Sequence, residues 1–316
     1  MSKQKYIIVS MRDNGGGTIV LHNLCCLLNE LGQDAKIMYF QTKIQDDKRF
    51  LFIIKWFVYN LKISVKILLE TLLGPKWVHG YFDNPFRKIR RKTTPFVGKN
   101  TIVIYYEGVF GNPLQAQKVI RWLLNHNAIY YKEKDKTIGY DKNDLFFAYR
   151  EVFNDSILNP RCRILCTPYM DLEKYKRYNY GERNGKCYIL RKGKWRVTED
   201  DFKDGIVIDD LSEREKVRVF NECEYCISYD TQTMYTQIAA LCGCISVVIP
   251  EKGKCRNDYR NKNDDFYGEA FGFSTDEIEY AISTTPMIEK QWKKMNDESK
   301  EQVKKFITVC EKHFNI

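Results

Sequence analysis

Residues 224–251, EYCISYDTQTMYTQIAALCGCISVVIPE, place a run of polar side chains at a helix start able to bind an anion. Asp230, Thr231, Gln232 and Thr233 fall between an apolar β-rich run at 225–229 and a small-residue apolar pattern at Ile238, Ala239, Leu241 and Cys242. That order reads as strand, helix, strand, the helix opening with Thr231, Gln232 and Thr233. Asp230 or Thr231 is the cap, Gly243 the stop, and a second buried strand at 244–249 closes at Pro250. A helix opening directly behind a strand presents unpaired backbone N–H groups and the positive end of its dipole, which suits a phosphate or diphosphate. Upstream, a strand predicted at 186–190 ends in Arg191 and Lys192, two cations able to neutralise such an anion. A further strand at 206–208 ends in Asp209.

A second set of polar groups lies near the start of the chain. Asn14, Gly15, Gly16, Gly17 and Thr18 separate a predicted strand at 5–10 from a helix at 19–31, and a strand at 35–40 comes next. Three glycines in a row either let a ligand approach the backbone closely or serve a tight turn with positive φ. The spacing matches neither a dinucleotide fingerprint nor a P-loop. His22 reads as a packed or capping histidine rather than a catalyst. Glu107 comes directly after a buried-type strand at 100–106, with Gly108, Gly111 and Asn112 beside it and a helix expected over 113–125. A carboxylate at that place is either a site group or a solvated loop acid.

These groups need a scaffold of alternating strands and helices. Further strands are expected at 128–131 and 145–149, and a helix after Ser212, whose capping box is completed by Glu215. A short helix at 275–283 and a long one at 286–313 close the chain. The α/β pattern restarts after 150–166, so the expected domains are 1–155, 156–290 and a C-terminal helix at 291–316.

The formal charge is +10 and apolar residues make up 44% of 316. These values imply a folded protein with an anionic partner, and the absence of RNP-like or zinc-finger patterns argues against nucleic acid. No uncharged stretch of about 20 residues is present, so no membrane span is expected. The N-terminal apolar run is too short for a secretion signal. Eleven cysteines then read as reduced thiols of a cytoplasmic protein. Cys226, Cys242 and Cys244 are expected as small hydrophobes, not metal ligands. The acidic pairs Asp46-Asp47, Asp209-Asp210 and Asp264-Asp265 lack a strand-flanked Asp-x-Asp setting. Residues 50–73 form an apolar helix with one polar stripe of Lys55, Tyr59, Lys62, Lys66 and Glu70. It is either a core helix with a solvated edge or an interfacial helix. In the second case it holds the protein peripherally to the inner face of an anionic membrane, helped by the basic residues at 87–92.

In this order, several short motifs resemble glycosyltransferases of the GT-B architecture, notably those of bacterial capsule and O-antigen loci. They are the N-terminal NGGG turn, YEG-x-x-GNP at 106–113, Arg-Lys-Gly at 191–193, SYDTQTMY at 228–235, AALCGC at 239–244 and YGEAFGF at 267–273. The resemblance implies two Rossmann-like domains facing across a cleft, with a C-terminal helix packing back. It implies transfer of a sugar from a nucleotide-diphosphate donor to a saccharide or lipid-linked acceptor, with no metal and no cofactor beyond that co-substrate. Thr231, Gln232, Thr233, Arg191, Lys192 and Asp209 would hold the donor, Asp230 would position its sugar, and the 14–18 loop and Asn112 would face the cleft. Glu107 would be the base if configuration inverts, and an acceptor ligand if it is retained. The family's Glu-x7-Glu pair maps onto Asp230 and Ile238, so the ribose contact passes to Tyr235 or Gln237.

Overall fold

The computed structural model describes residues 3–41, 48–74, 77–78, 81–86, 88–126, 140–259 and 265–316. The strand expected at 128–131, Arg87, Asp46-Asp47 and Asp264 lie outside them. The chain is α/β and divides into two compact units, residues 1–169 with 295–316, and residues 170–294.

The first unit is built on β1 (Lys5–Ser10), α1 (Gly16–Glu30), β2 (Asp34–Tyr39), α2 (Arg49–Leu73), β3 (Thr101–Tyr106), β4 (Lys118–Leu123) and β5 (Leu145–Ala148). Its five strands run parallel in the order β2-β1-β3-β4-β5. Both faces of a parallel sheet are covered, which is why these strands read as continuous apolar runs. Leu21, Leu24 and Leu28 of α1 are fully buried on that sheet, each contributing about 1.5–3 kcal/mol.

The helix expected at 113–125 is absent: residues 118–123 are β4. Asn112 closes the preceding loop instead, accepting from the Ala116 N–H (3.0 Å) and donating to the Ala116 carbonyl (2.8 Å). Lys-Val-Ile-Arg-Trp-Leu then pairs with β3 and β5, and the cross-strand environment overrides the helical start signal of Pro113. Arg121 in this strand is 1% exposed. It donates to Asp144 (2.8 Å) and to the carbonyls of Val109 (3.2 Å) and Gly111 (2.7 Å).

The second unit contains β6 (Lys186–Ile189), β7 (Ile206–Val207), α3 (Glu213–Glu222), β8 (Tyr225–Ser228), α4 (Tyr235–Leu241), β9 (Ile245–Val248), α5 (Arg256–Tyr259), β10 (Glu269–Phe271) and the first half of α6 (Thr275–Phe314). The order β10-β9-β8-β6-β7, again all parallel, repeats that of the first unit read from the other edge. Ser212 caps α3 through the expected box with Glu215. Cys226, Cys242 and Cys244 are buried in the core.

Three boundaries differ from expectation. The unit division falls after residue 169 because Leu165 is buried in the first core and its N–H bonds to the Ala148 carbonyl at the sheet edge. The two expected C-terminal helices are one, with Pro286 inside it. That proline removes one ladder bond, while Ile288 and Trp292 stay buried on the far side of it. The last turns of α6 belong to the first unit, where Val303, Phe306 and Cys310 join its core and Phe306 packs 5.0 Å from Phe147.

Candidate functional site

In an open parallel sheet, ligands sit beyond the strand carboxyl ends where the strand order reverses. In the second unit that point lies between β6 and β8. It gathers Arg191, Lys192 and Asp209 with the 229–235 segment. Arg191 opens a 3-10 turn over Arg191–Arg196 with φ of 35°. Asp209 fixes that exit: its carboxylate accepts from the Leu190 N–H (3.2 Å) and the Arg191 N–H (2.7 Å). Asp209 therefore shapes the turn, with both carboxylate oxygens already engaged. Gly193 seats the turn on β8, since a Cβ there would lie 2.0 Å from the Tyr229 carbonyl oxygen. Arg196 straps the same end of the sheet, donating to the carbonyls of Tyr229 and Ile249. Arg191, Lys192 and Trp195 remain exposed.

The helix expected to begin at Thr231 begins at Tyr235. Residues 231–234 form a turn because Asp230, 3% exposed, accepts the Gln232 N–H on Oδ1 (3.0 Å), a local bond that competes with helix. The N–H groups of Thr231 and Thr233 have no partner among the described residues. The Thr233 hydroxyl accepts from the Tyr235 N–H at 3.3 Å. Ile238 is core. Gln237 accepts from the Trp292 indole (2.8 Å).

Tyr235 belongs to a buried polar cluster that sequence reasoning missed. Its hydroxyl donates to Glu213 (2.5 Å), which also accepts from Tyr175 (2.7 Å) and Lys216 (3.0 Å). Burial pushes the Glu213 carboxyl up, but the Lys216 charge and the donated hydrogen bonds outweigh it and hold it below the usual range. Burial and Glu213 together push the Tyr235 phenol up. The Arg191 guanidinium lies 5.3 Å from the Tyr235 ring centre, so the cluster braces one of the three exposed cations of the turn, Arg191, Lys192 and Lys194. Glu213 and Lys216 stand three residues apart on α3, the only local signal of the pair.

The first unit reverses its strand order between β1 and β3. Here α1 starts at Gly16, three residues earlier than expected. None of Gly15, Gly16 and Gly17 has positive φ, so the glycines do not serve a left-handed turn. Asp13 accepts from the Gly15 N–H (2.9 Å) and the Thr18 hydroxyl (2.6 Å). Asn14 is tied to the Tyr81 carbonyl and the Asp83 N–H. Asn112 accepts from the Tyr105 hydroxyl (3.1 Å) besides closing its own loop. His22 is fully buried, with Nδ1 donating to the Thr18 carbonyl (2.7 Å) and Nε2 accepting from Tyr39 (3.1 Å). Burial lowers its pKa to about 4, and it is a packing group.

Glu107 is 3% exposed and accepts the Leu124 N–H at 2.8 Å. Burial raises its pKa to about 7, against the lowering effect of backbone N–H groups at Leu124 and Asn125. A Cβ on Gly17 would touch Leu124 at 3.7 Å. Thus the glycine turn, Glu107 and the end of β4 meet around Leu124.

A cavity of about 330 Å³ in the second unit runs along β6 and β8 between Lys186 and Tyr229 rather than beyond their ends. Its Asp204 is already bonded to Lys186 and Tyr188. Among the described residues, no group of three or more His, Cys, Asp or Glu is arranged to hold a metal ion.

No family model matches the chain, and no curated protein matches it. Solved structures resemble it over nearly full length. The catalytic domain of starch synthase IV from Arabidopsis thaliana, bound to ADP and acarbose, has TM-score 0.46 at 9% identity, covering 100% of both chains. The glycosyltransferase SnogD from Streptomyces nogalater has 0.41 at 11%, covering 98% of this chain and all of its own. A UDP-N-acetylglucosamine 2-epimerase has 0.41 at 11%, covering 100% and 97%. At this level the likeness carries no argument about what the chain does.

Proposed function

We propose that the protein is a glycosyltransferase that takes a sugar from a nucleoside-diphosphate donor and delivers it to a saccharide or lipid-linked acceptor in surface-polysaccharide assembly. The observation that carries the donor half is the switch point of the second unit. There Arg191 and Lys192 are exposed, on a turn pinned by Asp209 and Gly193, beside a segment whose Thr231 and Thr233 N–H groups have no partner among the described residues. Cations and backbone N–H groups so placed stabilise a leaving diphosphate without a metal. The order of motifs that resemble GT-B enzymes supports the sugar.

In an inverting reaction Glu107 takes the proton of the acceptor hydroxyl. The acceptor oxygen bonds to the anomeric carbon, and the bond to the diphosphate oxygen breaks with its electron pair leaving on the nucleotide. A carboxyl group with pKa about 7 is matched to that task near neutral pH. In a retaining reaction Glu107 is an acceptor ligand. The Arg191→Ala variant should lower turnover at least ten-fold, about 1.4 kcal/mol of transition-state stabilisation; unchanged turnover removes Arg191 from the site. A thermal-shift series with nucleoside diphosphates identifies the base, because a ligand bound only by the folded chain raises its melting temperature.

One observation favours a second reading, a non-catalytic nucleotide-sugar- or glycan-binding partner subunit on the same fold. Asp230, expected to position the sugar, and Glu107, expected as base, are both 3% exposed and each already accepts a backbone N–H, from Gln232 and Leu124. Binding of a nucleotide sugar by calorimetry with neither transfer nor hydrolysis would select that reading.

A further inference from the structure

Helix α2 has two apolar faces. Phe52, Trp56 and Ile63 are buried in the first unit's core. Glu70, the one acid of the helix, faces inward too, paired with Arg12 at side-chain exposures of 9% and 7%. Tyr59 packs against the same core. The stripe read in the sequence as solvated is therefore partly an inward face. On the other side, eleven apolar side chains between Phe50 and Leu73 are exposed, among them Phe50 at 72%, Leu61 at 67%, Leu68 at 57% and Leu72 at 70%. At about 100° per residue these eleven fall on one side of the helix, opposite the buried set.

Charge accompanies this face on one seam. Lys55 and Lys62 are exposed along its edge, and no carboxylate of α2 lies outward. Trp77, just past the helix end, is 78% exposed, a residue type favoured at the membrane–water boundary. No helix among the described residues is long and apolar enough to cross a membrane. The neighbouring basic run offers less than its sequence suggests. Arg90 pairs with Asp34 at 3.1 Å, and Arg91 is half-buried over Tyr39.

We propose that the outward face of α2 is a membrane-docking surface, lying flat in the headgroup region of an anionic bilayer. Its apolar side chains enter the acyl boundary and the exposed Lys62 meets the lipid phosphates. A stripe about 37 Å long, by 1.5 Å per residue over 25 residues, with no acid among the exposed residues of α2, fits that occupant. A protein partner would need acidic complements to the same edge and a polar rim on both sides. Docking of this face needs no nucleotide, so it stands apart from the transfer reading.

The test is flotation of the full chain with vesicles of phosphatidylcholine, alone or with about one third phosphatidylglycerol. The chain is expected to float with the anionic vesicles. Leu61→Glu with Leu68→Glu should cut the bound fraction at least about ten-fold, at an unchanged melting temperature because both residues are exposed. Leu61→Ser with Leu68→Ser provides a milder pair should the charged one fail to fold. Lys62→Glu should lower the preference for anionic over neutral vesicles. A wild-type chain that stays unbound, or a double variant that floats like it, overturns the proposal. So does a dimer in light scattering that the leucine variant dissolves without any vesicle binding, because the face then belongs to a second copy.

Discussion

The two units share one strand order and differ in the segment that leaves their first strand. After β1 the chain enters a fifteen-residue helix, α1, and the resource at its start is backbone N–H. After β6 it enters a six-residue 3-10 turn that carries Arg191, Lys192, Lys194 and Arg196, and the resource is side-chain charge. Each unit also buries a carboxylate just past its third strand, Glu107 and Asp230, both 3% exposed. Glu107 accepts from the neighbouring strand's exit at Leu124, while Asp230 accepts from its own turn at Gln232. A common topology thus supplies two differently equipped strand ends, exposed cations at one and a buried carboxyl of raised pKa at the other.

The sharpest break of this comparison is at Gly193. A Cβ there meets the Tyr229 carbonyl oxygen at 2.0 Å and its carbon at 2.3 Å, and backbone cannot yield as a flexible side chain can. Gly193→Ala is expected to destabilise the chain by about 3 kcal/mol in urea melts and to abolish the thermal shift by nucleoside diphosphate. A variant of near wild-type stability would show that the turn does not depend on that close approach.

The next effect concerns protons in the first unit. Burial raises Glu107 from 4.5 to about 7. The folded state holds a proton that the unfolded chain releases, so this stability is present below pH 4.5 and lost as pH rises through 7. Burial lowers His22 from 6.5 to about 4, so its stability is present above pH 6.5 and lost as pH falls through 4. Each is worth about 3 kcal/mol at its limit by linkage, and the two slopes oppose one another between pH 4.5 and 6.5. Glu107→Gln should expose the His22 slope, with unfolding free energy falling by about 3 kcal/mol from pH 7 to pH 4. The same variant should gain on the wild type at pH 8. Parallel profiles for both proteins would mean that Glu107 titrates as an ordinary surface acid.

The strands were legible because buried parallel strands leave continuous apolar runs such as Tyr-Ile-Ile-Val-Ser and Thr-Ile-Val-Ile-Tyr-Tyr. Residues 118–123 and 269–271 were not: Pro113 gave a helix-start signal in the first case, and the second is a three-residue edge strand between glycines, so only pairing with β3 and β5, and with β9, decided the matter. The cations at 191–192 announced themselves by charge after a strand. What Asp209, Asn112 and Asp230 do with their oxygens was hidden, because those partners are backbone N–H groups set by turn geometry. In α2 the pattern showed how much was apolar but not which apolar side the core would take. Two candidate faces of similar width are separated only by tertiary packing around Trp56.

The charge half of the comparison is tested by Arg191→Ala and Lys192→Ala. Each removes one exposed cation while leaving Asp209 its backbone partners. Affinity for a nucleoside diphosphate is expected to fall about ten-fold for Arg191→Ala, near 1.4 kcal/mol. A smaller loss is expected for Lys192→Ala, whose ammonium lacks the planar fork of guanidinium. Calorimetry that finds both variants unchanged would place the diphosphate elsewhere in the second unit.

The smallest effect belongs to the helical start of the first unit. Nothing lies within 4 Å of a Cβ built on Gly16, and its φ is not positive. Gly16→Ala should therefore stabilise the chain by about 0.5–1 kcal/mol, through lower unfolded-state entropy and better helix propensity. If the open space at Gly16 is only space, the variant transfers sugar as well as the wild type. If a ligand closes on the α1 N–H groups, the added methyl stands in its way, and the acceptor KM rises while stability still improves. A gain in melting temperature with a loss confined to acceptor KM is a pattern that a purely structural glycine does not produce, and it would give the first unit's backbone end a ligand of its own.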